Sequence, residues 1–246
     1  ESTYGDRLHD QSTPDERLTD IINRTARRRG VLLVPVFAVG RAQELLYYIH
    51  KLKKQGLIPD LPVYLNSPMA VDATDIFMRH AGEHKLDAAE CRAIMQTAHM
   101  VNSVEESQAL NEINHPVIIL AASGMASGGR VVHHIKAFGP DPRNTILFAG
   151  YQAAGTRGAA MINGATSVKI HGGYVPINAE VEFISSFSAH ADYNEILHWL
   201  DNFTAPPKRT FVTHGEPIAA DALRLRIEER FAWNVTVPEY LESVDL

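Results

Sequence analysis

Three short stretches of this chain combine residue types that can bind a metal ion and move a proton. Ser186-Phe187-Ser188-Ala189-His190-Ala191-Asp192 and Thr213-His214-Gly215-Glu216 each carry one histidine. Glu1-Ser2-Thr3-Tyr4-Gly5-Asp6-Arg7 ends in a carboxylate beside a turn glycine. Each of the two histidines follows a strand-like run (Val181 to Ile184; Arg209 to Val212) and precedes a helical pattern. In α/β layers the strand ends deliver catalytic groups, so both imidazoles are expected at one rim. One aspartate with two histidines is a donor set that suits a metal.

The elements that must hold these groups follow from the punctuation of the chain. Thr13-Pro14-Asp15-Glu16 reads as a capping box with proline at the first helical position, predicting a helix to Arg29 that stops at Gly30. The unbroken apolar run Val31 to Val36 predicts a buried strand, followed by the Gly40-Arg41 turn and a helix with the apolar stripe Leu45, Leu46, Ile49, Leu52. Pro62 to Leu65 predicts a strand, Ser67-Pro68 a helix start, and Ser103 with Glu106 another capping box. Val117 to Ala121, Thr145 to Ala149 and Ser167 to Ile170 read as short buried strands. Strands alternating with helices imply an α/β fold with a mostly parallel sheet flanked by helices.

Composition limits the function classes. The chain has 246 residues, 45% of them hydrophobic, enough for one large or two modest cores. A net charge of −6 argues against a protein that coats nucleic acid electrostatically, so any RNA contact is local. The densest basic spots, Arg27-Arg28-Arg29 and Lys51, Lys53, Lys54, fall in the last turns of predicted helices, where cations complement the C-terminal dipole. No apolar run approaches the roughly 20 residues that span a bilayer, so no membrane partner is expected. The single cysteine, Cys91, excludes an internal disulfide and reads as a structural thiol; it is compatible with a reducing compartment, and a cytoplasmic location is expected.

Taken in order, ESTYGDR, GRAQELL (Gly40 to Leu46), SGMASGGR (Ser123 to Arg130), ILFAGYQAAGTRG (Ile146 to Gly158), SFSAHAD and THGE resemble the motifs of the β-CASP branch of the metallo-β-lactamase superfamily, zinc nucleases that process RNA. The resemblance spans essentially the whole chain. It implies a β-CASP domain, residues 46–185, inserted into the C-terminal half of a metallo-β-lactamase αββα sandwich formed by residues 1–45 and 186–246. The family's H-x-H-x-D-H zinc run is absent, and Asp6 corresponds to its fourth motif. The chain is therefore expected to be the C-terminal portion of a larger enzyme, with the upstream half as its partner. The missing initiator Met fits that expectation.

The resemblance also implies roles. Asp6 corresponds to the carboxylate that bridges two zinc ions, and His214 to the late histidine ligand. His190 corresponds to a histidine that acts on the leaving oxygen, where a positioned imidazolium contributes on the order of a hundred-fold or more. Glu44 matches the motif-A acid that would hold His190 in the correct tautomer. Judged without that context, Asp6 is a turn residue, His214 a loop histidine and Glu44 a solvated helix glutamate. Glu216 reads as a cap of the following helix. Gly128, Gly129 and Arg130 either contact RNA phosphate through backbone N–H groups or only permit a tight strand-to-helix crossing. Ser188 is a phosphate-contact candidate. His9 is the one other histidine expected to support the site.

The function implied is that of part of a zinc-dependent ribonuclease hydrolysing RNA phosphodiesters in processing or decay. Two Zn²⁺ ions are expected per complete site, bound weakly or not at all by the isolated chain, which is expected to be inactive. The alternative is a noncatalytic RNA-binding or scaffold paralogue with a decayed metal site. RNA is preferred over DNA because the DNA-directed branch carries valine where this chain has His214. Strands Val31 to Val36 and Thr210 to Val212, if left uncovered by the absent half, would favour self-association.

Overall fold

The computed structural model describes residues 1–10 and 12–244. The chain packs as two compact units, Ser12–Phe187 and, separately, Glu1–Gln11 with Ser188–Leu246.

The larger unit runs α1 (Pro14–Arg27), β1 (Val31–Pro35), α2 (Arg41–Lys54), β2 (Val63–Asn66), α3 (Pro68–Arg79), α4 (Ala88–Thr97), β3 (His99–Met100), α5 (Val104–Leu110) and β4 (Val117–Ala121). It continues with α6 (Val131–Phe138), β5 (Thr145–Ala149), α7 (Arg157–Ile162), β6 (Ser167–Ile170), β7 (Gly173–Pro176) and β8 (Glu180–Ile184). Six of these strands form one sheet in the order β3-β2-β4-β1-β5-β8, and every pairing in it is parallel. β6 and β7 form a separate antiparallel hairpin.

The apolar run of β1 explains its central place. All five residues are buried, with Leu33 opposite Ile119 on one side and Ile146 on the other. Successive side chains point to opposite faces, so Leu32 and Val34 join Ile21, Leu45 and Ile49, while Val31 and Leu33 join Ile135 and Phe138. A strand covered on both faces needs no polar alternation. β1, grouped above with the half-sandwich, hydrogen-bonds along both edges within the 12–187 unit. Of the two strands expected to favour self-association, β1 is buried, while in Thr210 to Val212 only Val212, 3% exposed, is buried.

Within the basic spots, Arg28, Lys51 and Lys53 each meet a carboxylate. Arg24 and Arg28 both pair with Glu180 on β8, and Arg17 meets Glu182 at 3.1 Å. Lys53 reaches Asp60 at 2.8 Å, and Lys51 pairs with Asp15. Among the described residues, no helix is long and apolar enough to cross a membrane.

The smaller unit holds α8 (Tyr193–Leu200), β9 (Thr210–Phe211), α9 (Pro217–Phe231) and β10 (Val235–Thr236). β9 and β10 pair in parallel, and Leu197, Leu200, Val212, Leu223, Ile227 and Trp233 form its core. Its N-terminal segment is tied in by a parallel bridge between Tyr4, 1% exposed, and Asp192.

Candidate active site

In the smaller unit the N-terminal segment lies against both histidine loops. Ser2 Oγ donates to Thr213 O at 2.9 Å. A Cβ on Gly215 would stand 2.2 Å from Ser2 Oγ and 2.6 Å from Ser2 O, so only glycine lets the THGE turn approach this closely. His214 adopts φ +56°, a left-handed conformation that costs a non-glycine residue on the order of 1 kcal/mol and that clusters at functional sites.

The His190 loop is fixed by a second set of bonds. Asp192 caps α8, its Oδ1 accepting from Asn194 and Glu195 N–H at 2.9 Å each, while its Oδ2 accepts from His9 N–H at 3.0 Å. His9 Nε2 donates to His190 O at 2.8 Å, and His190 N–H donates to Ser188 Oγ at 3.2 Å. Every one of these contacts restrains backbone, which leaves the His190 ring for chemistry.

A turn closed by Gly5 N–H on Ser2 O at 3.0 Å brings Glu1 and Thr3 to that ring. Glu1 Oε2 lies 3.2 Å from His190 Nδ1 and 3.7 Å from His214 Nδ1. Thr3 Oγ1 lies 3.4 Å and 3.5 Å from the same two nitrogens and donates to His214 O at 3.2 Å. Thr3 N–H donates to Glu1 Oε2 at 3.1 Å. The two imidazole rings stack with centroids 5.4 Å apart and planes 30° apart. Burial alone would raise the Glu1 carboxyl, but the Thr3 hydrogen bonds and the neighbouring His190 hold it below the usual carboxylate value.

Among the described residues, Glu1, His190 and His214 are the group of three metal-ligand side chains whose donor atoms all lie within 4.8 Å of one another. A carboxylate oxygen and an imidazole nitrogen, Glu1 and His214, suit zinc in type and leave the rest of a tetrahedral shell to other donors, with the His190 ring beside them. The donor set therefore fits the ion that the resemblance implies.

The carboxylate in this cluster differs from the expected one. Asp6, past the turn, is gripped by Arg7 through both oxygens at 2.9 Å each, and that hydrogen bonding is the main reason its pKa is lowered. Glu1, at the other end of the same motif, occupies the place assigned to Asp6 beside His214 and the one assigned to Glu44 beside His190. Glu44 belongs to the larger unit, where Arg41 Nε stands 3.2 Å from it and burial raises its carboxyl. There it lines a cavity of about 600 Å³ with Tyr47, Phe77 and Leu86. Thr3 and Glu1 were missed although ESTYGDR displayed both, because the aspartate drew the assignment. Glu216 sits at the N-cap of α9 but makes no side-chain capping bond.

Of the proposed phosphate contacts, Ser188 is committed to the His190 N–H. Gly128, Gly129 and Arg130 lie in the larger unit, in the loop between β4 and α6. Arg130 donates to Asn66 Oδ1 at 2.8 Å, Val101 O at 3.0 Å and Asn102 O at 2.6 Å. At Gly129, φ is +73° and a Cβ would stand 2.5 Å from Ala122 O, which supports the tight-crossing reading of that glycine.

A parallel α/β unit, together with a unit whose loops gather two histidines and a carboxylate, defines an α/β protein with a metal-type site. Residues 42–161 match the Beta-Casp domain model, and residues 174–238 match the model described as a Zn-dependent metallo-hydrolase RNA specificity domain. The chain is 33% identical over 261 residues to transcription termination factor FttA of Pyrococcus abyssi, an alignment covering 100% of this chain and 40% of that protein. It is 37% identical over 223 residues to ribonuclease TTHA0252 of Thermus thermophilus, covering 88% of this chain and 50% of the relative. The chain belongs to the β-CASP branch of the metallo-β-lactamase superfamily. It spans about two fifths to one half of the length of these relatives.

Proposed function

We propose that the whole protein is a zinc-dependent ribonuclease that hydrolyses RNA phosphodiesters in processing or decay, and that this chain supplies its proton donor and two zinc ligands. The observation that carries this reading is the shared Glu1 oxygen, 3.2 Å from His190 Nδ1 and 3.7 Å from His214 Nδ1. The ribonuclease relative and the domain description support RNA as the substrate.

His214 would hold the ion together with Glu1, and residues outside this chain would complete its shell. When bound, the ion supplies Lewis-acid polarisation of the phosphate. Glu1 takes the His190 Nδ1–H, which orients the ring and stabilises its cation. The opposite nitrogen, Nε2, then carries the proton delivered to the departing 3′-oxygen, a transfer worth about 10²- to 10⁴-fold. Thr3 fixes Glu1 through its N–H and the His214 backbone through its hydroxyl. Asp6 and Glu44 are each held by an arginine, and this reading gives neither a step. Ser188 retains a proposed role at the phosphate, and the single buried Cys91 supports a cytoplasmic setting.

Similarity along the whole chain to a transcription termination factor favours a second reading, in which cleavage or RNA binding serves termination. End-labelled single-stranded RNA incubated with the whole protein and zinc tests the first. Chelator-sensitive cleavage is expected; intact RNA at every zinc level would contradict it.

A further inference from the structure

In the larger unit, two adjoining cavities of about 460 and 420 Å³ share Ser127 and Arg157. Lys169 lines the first, and Arg130, His133 and His171 line the second. Among the described residues, no carboxylate lines either one. In a chain of net charge −6, so cationic a surface does not arise from composition.

The arginines are held in an unusual way. Arg157 donates to Ala126 O at 3.1 Å, Ser127 O at 2.9 Å and Lys169 O at 2.6 Å. Arg130 is anchored on two carbonyls and an amide oxygen. Among the described residues, neither is in an ion pair, whereas Arg17, Arg24, Arg28, Arg143, Arg224 and Arg230 each meet a carboxylate. Neutral acceptors orient a guanidinium without cancelling its charge, so its field remains available and little side-chain entropy is left to lose on binding. His133 and His171 add two exposed imidazoles with ring centroids 4.5 Å apart, and Lys169 is exposed.

We propose that these two cavities form a second RNA-binding surface that grips successive phosphates of a single-stranded backbone, with Arg157 shared between neighbouring nucleotides. Two cavities joined at one arginine suit a repeating anion, and Arg157, with Nε and Nη1 spent on carbonyls, keeps the Nη2 hydrogens for phosphate oxygens. Of the earlier phosphate-contact candidates, this surface takes in Gly128, Gly129 and Arg130 and joins them to Arg157, Lys169, His133 and His171. Naming RNA as the polyanion rests on the ribonuclease reading.

The test is fluorescence anisotropy of a labelled single-stranded oligouridylate binding to the chain across a salt series. Lys169→Glu with His171→Glu, whose side chains anchor nothing in the fold, is expected to weaken binding about ten-fold. The same double variant should flatten the log–log salt slope by about 0.7 for each phosphate it no longer neutralises. Arg157→Gln should do the same, with circular dichroism checking that its carbonyl anchors are dispensable to the fold. Arg230→Gln, already paired with Asp201, should leave binding unchanged. Unchanged affinity and slope in the double variant would overturn the proposal, as would equal competition by inorganic phosphate at matched phosphate concentration. In the whole protein the two claims separate. RNA bound through the groove but never cleaved defeats the nuclease reading alone. Cleavage of long RNA with KM unaltered by the groove variants defeats this proposal alone.

Discussion

In the smaller unit His190 keeps 39% of its side chain exposed and shares the Glu1 carboxylate with His214, whereas in the larger unit His134 is fully buried between two amides. Asn66 Nδ2 donates to His134 Nε2 at 2.6 Å, and His134 Nδ1 donates to Asn111 Oδ1 at 2.7 Å. Both ring nitrogens of His134 are used by neutral partners, so its ring is a structural bridge. Burial, followed by the charges of His133 and Arg130, pushes its pKa down to about 4. A carboxylate neighbour and an open edge equip an imidazole to carry a proton; amide neighbours and burial keep it neutral. In the proposed reading one residue type serves chemistry in one unit and cohesion in the other.

The sharpest way to break this contrast is to remove each histidine and see which property fails. In the whole protein, His190→Ala is expected to lower the single-turnover cleavage rate by about 10³-fold with the melting temperature nearly unchanged. A large stability loss instead would put His190 in the structural class with His134. Glu1→Gln keeps the shape but removes the charge that supports the imidazolium, and a loss of about 10²-fold in kcat is expected. A rate equal to that of the parent would show that the 3.2 Å approach of Glu1 to His190 is incidental.

His134→Ala should leave chemistry per folded molecule intact but cost about 3 kcal/mol by denaturant unfolding, since it strands the buried Asn66 amide and removes the partner of the half-buried Asn111. The pH dependence of stability sharpens this. Folded His134 titrates near 4 and the unfolded side chain near 6.5. Between those values the unfolded chain binds the extra proton. The contribution is therefore complete above pH about 6.5 and shrinks as pH falls toward 4, by up to about 3 kcal/mol. Unfolding curves at several pH values should be flatter in His134→Gln than in the parent; parallel curves would refute the assignment. The smallest effect is expected from Glu44→Gln, which loses an ion pair with Arg41 and should change stability by less than about 1 kcal/mol.

Legibility in the sequence followed the same divide. β1, β4 and β5 were readable because burial on both faces demands unbroken apolar runs, and the capping boxes at Thr13 and Ser103 marked helix starts by local chemistry alone. The β6–β7 hairpin was only half legible: Gly173–Pro176 has an exposed, weakly patterned surface. Both histidines of the cluster were visible in their loops, but the choice between Asp6 and Glu1 was not. It depends on the turn at Gly5 and on Arg7 capturing Asp6, neither of which leaves a periodic trace. Motif order likewise carries no information about which sheet β1 joins.

The most direct test of the central claim compares zinc content and cleavage rate in His190→Ala and His214→Ala variants of the whole protein. Metal analysis should find His190→Ala close to the parent in zinc yet about 10³-fold slower, whereas His214→Ala should lose both metal and rate. Equal zinc loss in the two variants would contradict the account, because His190 would then be a ligand and the proton would have to come from another group.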